Sequence, residues 1–433
     1  VISLTPSGGE RWVYRYTSPG QGDDWAYSIV MGSDGNLYAA GGSDGVLCDF
    51  IVISLTPSGG GRWVYRYDGP GNNYDWAYSI VMGSDGNLYA AGPSVGAGTS
   101  YDFTAISLSD SGGERWVYRY NGPGNSDDWA YSIVMGSDAN LYAAGWSGGG
   151  GTSYDFTVIS LTRSGGERWV YRYNGPGNDW DWAYSVVTGS DGNLYAPGWS
   201  VGSGTYLDFT VVALTPSGDE RWVYRYNGPG NSDDWAFSTV MGSDGNLYAA
   251  GRSVGSGSWY DFTVISLSDS GGERWVYRYD GPGHDEDWAS SIVMGSDGNL
   301  YAAGGSHGDP TSCDFTVISL IPDVGVEERA QTRCKMQDAG LKLWACPVPA
   351  VGWVKIHYSV DGSDLSAYEH ISLSIYDVCG KLVRNLVNVR EEAGSRVVLW
   401  DCRDSKGERV SSGTYFVRLE APSFFASQKL IVL

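Results

Sequence analysis

Near-identical tandem copies of one unit make up most of this chain, and that repetition limits its fold more than any other feature. The segment Arg-Trp-Val-Tyr-Arg-Tyr recurs with its tryptophan at Trp12, Trp63, Trp116, Trp169, Trp222 and Trp275, spaced 51 residues once and then 53 residues four times. Asp-Trp-Ala recurs from Asp24, Asp75, Asp128, Asp181, Asp234 and Asp287, and Asp-Phe from Asp49, Asp102, Asp155, Asp208, Asp261 and Asp314. A unit of this length cannot bury its apolar surface alone and must stack on its neighbours.

Each unit offers four short extended runs, here lettered a to d. In the second full unit they are residues 78–83, 87–92, 103–108 and 115–120. Asp85-Gly86 separates the first two, a strong short hairpin signal because glycine accepts positive φ. Ser-Gly-Gly links the third run to the fourth. In Arg-Trp-Val-Tyr-Arg-Tyr the three rings point one way and Val and Arg the other. In Ser-Ile-Val-Met and Phe-Thr-Val-Ile-Ser-Leu both faces carry apolar groups, whereas a sandwich with one wet face alternates apolar and polar residues. Small sheets covered on both faces and repeated radially form a β-propeller. A β-helix is the rival, but its repeats are shorter and lack internal hairpins.

The expected fold is therefore all-β: a six-bladed propeller of about 53-residue, four-stranded repeats, plus a C-terminal sandwich. Five blades are complete between residues 26 and 279, and the sixth has a, b and c at 290–320 but no d of its own. Residues 11–16 offer a spare d, so the N-terminal strand is expected to close the ring and hide edges that would template aggregation. Val-Ile-Ser-Leu at 1–4 duplicates the end of the c strand at 315–320, so one copy is displaced or belongs to another blade, and a longer natural chain would make a ring of seven or eight blades. The expected domains are 1–320 for the propeller, 321–340 for a linker, and 341–433 for the sandwich.

Composition excludes several functions. A formal net charge of −22 disfavours nucleic acid and anionic lipid as partners. No apolar run approaches the roughly 18 residues of a membrane helix. The first residue is Val1 rather than Met, so no targeting segment is read from the front. The pentapeptide Gly-Trp-Ser-Val-Gly at 198–202 fits the Gly-x-Ser-x-Gly pattern of a nucleophilic serine, yet variants of it recur in all six copies. A nucleophile elbow needs a following helix and a histidine. The chain has four histidines, of which His284 and His307 lie in the last repeat and His357 and His370 outside the repeats. The pentapeptide reads as a loop.

The repeat pattern of Trp, Arg-Tyr-Asn-Gly-Pro-Gly-Asn, Ser-Asp-Gly-Asn-Leu-Tyr, Ala-Gly and Asp-Phe resembles the SBBP-type β-propeller repeat of bacterial secreted proteins. The resemblance implies propeller blades and no particular ligand. Residues 374–387, 393–421 and 428–433 resemble the FlgD-like immunoglobulin-type domains of bacterial surface proteins. They are also similar to the C-terminal sorting domains of type IX secretion cargo. That implies an extracellular or cell-surface location. Cys379 and Cys402 depart from the pattern, the second where glycine is common.

Candidate site residues follow from comparing the copies. The a–b turn is nearly constant, whereas the d–a and b–c loops vary, and in propellers those two loops share a face. Tyr74 and Trp180 are expected in d–a loops, and Trp146, Trp199 and Trp259 in b–c loops, with Arg252 at the position of Trp146 and Trp199. Exposed rings beside Gly and Asp suit stacking on sugars or gripping a protein. The alternative is that they pack across neighbouring blades. The acidic pairs Asp127-Asp128 and Asp233-Asp234, with Asp285 and Asp287, could offer calcium oxygen ligands. Alternatively the Asp of Asp-Trp caps a turn, or pairs with Arg15 and its equivalents. No other cofactor is expected. Six cysteines permit disulfides, with Cys379–Cys402 and Cys334–Cys346 the local pairs; Cys48 and Cys313 share a repeat position but lie too far apart to bridge. The expected protein is a monomeric binding or scaffold protein for glycan or protein. A polysaccharide-acting enzyme and a purely structural spacer are the alternatives.

Overall fold

The computed structural model describes residues 1–20, 22–44, 47–308, 313–322, 341–346, 353–360, 369–377, 381–391, 394–411, 413–421 and 424–432. They fall in two compact units, Val1–Glu328 and Arg329–Leu433. The expected linker 321–340 and the pairing of Cys334 with Cys346 lie almost wholly outside the described residues. Among those described, every element is a strand.

The first unit opens with β1 (Ile2–Leu4) and β2 (Glu10–Val13), an isolated antiparallel pair. Blade 1 is β3 (Asp24–Met31), β4 (Leu37–Asp44), β5 (Cys48–Leu55) and β6 (Gly61–Tyr67). Blade 2 is β7 (Ser79–Met82), β8 (Leu88–Val95), β9 (Tyr101–Leu108) and β10 (Glu114–Tyr120). Blade 3 is β11 (Asp128–Met135), β12 (Leu141–Gly148), β13 (Tyr154–Leu161) and β14 (Glu167–Tyr173). In blade 4, β15 (Asp181–Ala183) and β16 (Val187–Thr188) share strand a, followed by β17 (Leu194–Val201), β18 (Leu207–Leu214) and β19 (Glu220–Tyr226). Blade 5 is β20 (Asp234–Met241), β21 (Leu247–Val254), β22 (Tyr260–Leu267) and β23 (Glu273–Tyr279). Blade 6 holds β24 (Asp287–Met294), β25 (Leu300–His307) and β26 (Cys313–Leu320). These are antiparallel sheets in sequential order, the β-propeller blades expected from the repeat.

Turn chemistry explains the hairpins. Asp85 accepts hydrogen bonds from the Asn87 amide at 3.1 Å and the Tyr89 hydroxyl at 2.7 Å, and Gly86 takes φ 78°. Successive blades then share cores. Tyr142, Ala144, Phe156 and Val158 of blade 3 pack with Ala183, Val186, Leu194 and Val212 of blade 4, and four further clusters repeat this pattern. The strand-d tryptophans pin each seam. Trp63 Nε1 donates to Asp110 O at 3.0 Å in the next blade's c–d turn, and Trp116 Nε1 to Arg163 O at 2.9 Å.

The Gly-x-Ser-x-Gly residues are structural. Strand a bulges between Ala130 and Ser132 and its equivalents, bringing its backbone against strand b. A Cβ on Gly198 would fall well inside contact distance of the Trp182 carbonyl oxygen and 2.8 Å from the Phe156 ring. Ser200 is fully buried and accepts a hydrogen bond from Arg225 Nη1.

The N-terminal strand does not close the ring. β2 pairs with β1 (Ile2↔Val13, Ser3↔Trp12, Leu4↔Glu10), and β26 ends its three-stranded sheet. The physical reason is locality. Both copies of Ile-Ser-Leu fit strand d, and the copy one tight turn away costs little loop entropy to bring in. Two faces are left uncovered. Trp25, Tyr27, Ile29 and Met31 of β3 are exposed, as are Phe315 (83%) and Val317 (55%) of β26, whose equivalents Phe262 and Val264 are fully buried.

The second unit has two sheets: β27 (Leu341–Cys346), β28 (Val354–Val360) and β31 (Gly394–Trp400), and β30 (Leu382–Glu391), β29 (Glu369–Asp377), β32 (Gly413–Ala421) and β33 (Phe424–Val432). Alternate residues from both enclose one core, including Val354, Ile356, Ile371, Leu373, Trp400, Val417 and Leu430. Cys402 is a buried free thiol in that core at φ 52°, which accounts for the glycine common there. It is therefore not bridged to Cys379, itself outside the described residues. Cys48 and Cys313 are also free.

Candidate binding face

The d–a loop is folded around one carboxylate per blade. Asp128 Oδ2 accepts the Gly122 amide at 2.8 Å and its Oδ1 the Gly148 amide at 3.0 Å. Asp234 does the same with Gly228 at 2.6 Å and Val254 at 3.0 Å, and Asp287 with Gly281 at 2.6 Å and His307 at 3.2 Å. Asn125, Asn231 and, in the last copy, His284 complete these loops at positive φ of 47–49°. Burial pushes Asp128, Asp181 and Asp234 up to about 6, against the hydrogen bonds from serine and backbone.

Those bonds bear on the calcium candidates. Asp128, Asp234 and Asp287 spend their oxygens on backbone N–H groups, the turn-capping alternative. Asp127 accepts from the Ser100 hydroxyl, Asp233 from the Leu207 amide at 3.4 Å, and Asp285 from the Glu286 amide at 3.0 Å. Among the described residues no three His, Cys, Asp or Glu side chains converge as metal ligands would. The strand-d arginine pairs with the other repeat carboxylate, that of Asp-Phe: Arg119–Asp102 at 2.8 Å, Arg172–Asp155 at 2.7 Å and Arg278–Asp261 at 2.7 Å.

Three of the six candidate side chains, two indoles and the guanidinium, are engaged in packing across the blades. Strand b runs past the Ala-Gly step, so Trp146, Trp199 and Arg252 lie in β12, β17 and β21 rather than in loops. Trp146 is 5% exposed and sits between Trp129 (5.6 Å) and Trp182 (5.1 Å). Trp199 is 3% exposed, between Trp182 (5.0 Å) and Trp235 (6.2 Å). The Arg252 guanidinium lies 4.0 Å from the Trp235 ring centre and 3.9 Å from that of Tyr260. Indoles and one guanidinium thus stack continuously across the blades, an arrangement favoured by quadrupole and cation–π attraction.

The other three are exposed. Tyr74 stacks on Trp76 at 5.6 Å, and Trp180 stands 6.2 Å from Tyr154. Trp259, 64% exposed, lines an open cavity of about 320 Å³ with Ser232, Val254, Gly257, Ser258 and Tyr260. Tyr206, 65% exposed, was not among the sequence candidates, although it occupies the repeat position of Trp259. Aligning the b–c loops from their Asp-Phe ends would have found it. At the opposite face a second concavity of about 450 Å³ is lined by Asp85, Arg115, Asp138, Asn140 and Arg163. The first cavity offers a flat indole, a second ring braced by Arg252, and serine hydroxyls.

Residues 360–423 match the FlgD Ig-like domain family. No curated protein matches the chain. Among solved structures the chain is similar to PorZ, a surface component of the type-IX secretion system of Porphyromonas gingivalis (13% identity, TM-score 0.39). All of this chain is covered, and it spans 62% of PorZ. It is also similar to the α-L-arabinofuranosidase Arb93A of Fusarium graminearum (11% identity, 70% of this chain and 94% of that one, TM-score 0.38). A protein of unknown function from Dyadobacter fermentans is similar at 12% identity (74% and 93% covered, TM-score 0.37). Among the described residues no helix is long and apolar enough to cross a membrane.

Proposed function

We propose that this is a secreted or cell-surface bacterial protein that binds glycan through the d–a and b–c loop face of its blades. The observation that carries the reading is Trp259, an exposed indole over a cavity that also presents Tyr260, Ser232 and Ser258. A sugar ring stacks its C–H face on an indole and exchanges hydroxyl hydrogen bonds with serines. Tyr206 and Trp180 repeat the exposed ring on neighbouring blades, so weak sites would act together on a polymer. The SBBP-type resemblance and the FlgD Ig-like match support an extracellular setting. A glycan array probed with the purified protein tests it. Trp259→Ala is expected to lose at least tenfold in affinity with unchanged melting. Equal binding by the variant to every glycan retained by the parent would overturn the reading.

A further inference from the structure

One half-buried arginine of the blades lacks a counter-charge. Among the described residues six arginines of the first unit are half-buried. Five stand in strand d, at Arg66, Arg119, Arg172, Arg225 and Arg278, and each pairs with the Asp-Phe carboxylate of its own blade. The sixth, Arg252 in β21, has neither an ion pair nor a hydrogen bond among the described residues.

Packing does not account for its charge. Trp146 fills the same repeat position in blade 3, opposite Trp129 as Arg252 is opposite Trp235. It lies 4.5 Å from Tyr154, as the guanidinium lies 3.9 Å from Tyr260. An indole therefore completes this stack, and Trp199 does so again in blade 4. A guanidinium in the same place gives up hydration that two ring faces return only in part. Its Nε is shut away from water without an acceptor, whereas its two Nη groups are not enclosed. A guanidinium edge is a planar fork of donors, the geometry that a carboxylate accepts with both oxygens.

The fork stands beside the cavity of the loop face. Tyr260 lays its ring on the guanidinium and lines that cavity with Trp259, Ser232 and Ser258. Two carboxylates also bear on Tyr260: Asp233 accepts from its hydroxyl at 3.4 Å, and Glu286 acts by charge. Neither pairs with Arg252. These acids and the net charge of −22 oppose a polyanion, so the fork suits a sugar with one negative charge.

We propose that Arg252 makes this site select a glycan with a single carboxylate, a uronic acid residue beside a neutral one. The neutral ring stacks on Trp259 and the carboxylate meets the Arg252 fork. The proposal rests on the glycan reading of the same face and names the class of sugar.

A glycan array of matched pairs tests it, with titration calorimetry on the pairs retained. Each pair is an oligosaccharide ending in a uronic acid and the same oligosaccharide ending in the corresponding neutral hexose. The parent is expected to bind the acid about tenfold more tightly than its neutral partner. Arg252→Trp gives blade 5 the residue that blades 3 and 4 carry, and Arg252→Gln keeps a polar chain without charge. Each is expected to bring the ratio of acid to neutral affinity to about one. Trp259→Ala is expected to weaken both members of a pair together. A parent that binds both members equally, or either Arg252 variant keeping the parent's ratio, overturns the inference and leaves the glycan reading in place. A parent that retains no glycan of either kind overturns both.

Discussion

At the scale of single residues, the copies act as internal controls. The third glycine-like position of the a–b turn holds Gly35, Gly86, Gly192, Gly245 and Gly298 at φ 78–81°, but Ala139 in the third blade at φ 61°. An L-residue in the left-handed region costs about 1 kcal/mol. Ala139→Gly is expected to stabilise the protein by about 1 kcal/mol in urea unfolding, less whatever glycine's unfolded-state entropy takes back. No gain would show that the turn has relaxed around the methyl group. Burial separates the tryptophans in the same way. Trp199→Ala leaves a cavity between Trp182 and Trp235 and is expected to cost about 3–5 kcal/mol, whereas Trp259→Ala is expected to leave stability within about 0.5 kcal/mol. The turn was legible in Asp-Gly. The fate of the tryptophans was not, because Trp146 and Trp259 look alike in sequence, both among Gly and Ser, and only the length of strand b separates them.

Among elements, strand b is the most constrained, and its constraint is a glycine. At the irregular step of strand a, a bulge in four blades and a break in the ladder in the other two, a tryptophan carbonyl stands where a side chain of Gly41, Gly92, Gly145, Gly198, Gly251 or Gly304 would be. Backbone cannot yield as a flexible side chain does. Gly198→Ala is therefore expected to cost about 3 kcal/mol by denaturant unfolding, with a changed circular dichroism signal from the stacked indoles around Trp182. Gly204→Ala, with nothing near its Cβ but φ 88°, is expected to cost about 1 kcal/mol and leave that signal alone. The four strands and their order were legible from hairpin signals and from apolar residues on both faces. The bulge was not, since it adds one residue to strand a without changing its composition. That omission is why Gly-x-Ser-x-Gly first reads as a loop and not as a packing device.

For the whole molecule, the number of copies was legible and the closure was not. Residues 2–4 and 318–320 carry the same Ile-Ser-Leu, and sequence holds no information on which of two equal strands β2 will choose. A second whole-molecule property does follow from the repeats, the response to pH. Asp128, Asp181 and Asp234 are raised by burial to about 6, and Asp75 and Asp287 are raised for the same reason. A carboxyl raised in the fold binds its proton more tightly there than in the unfolded chain, whose value is about 4. Folding then takes up protons between about pH 4 and 6, so stability rises as pH falls through that window. The turn carboxylates oppose this at lower pH. Burial alone would raise Asp85, Asp138, Asp191 and Asp244, but hydrogen bonds from Asn and Tyr overcome it and hold them below the usual range. Their contribution is lost as pH falls through those lowered values. The melting temperature is expected to be higher at pH 5 than at pH 8 and to fall again below about pH 3. Relief of the −22 net charge acts in the same direction above pH 4. Salt separates the two causes, because it screens surface repulsion and leaves buried carboxyls nearly untouched. A pH 5 advantage that survives in molar salt belongs to the buried aspartates, and one that vanishes there would remove them from the account.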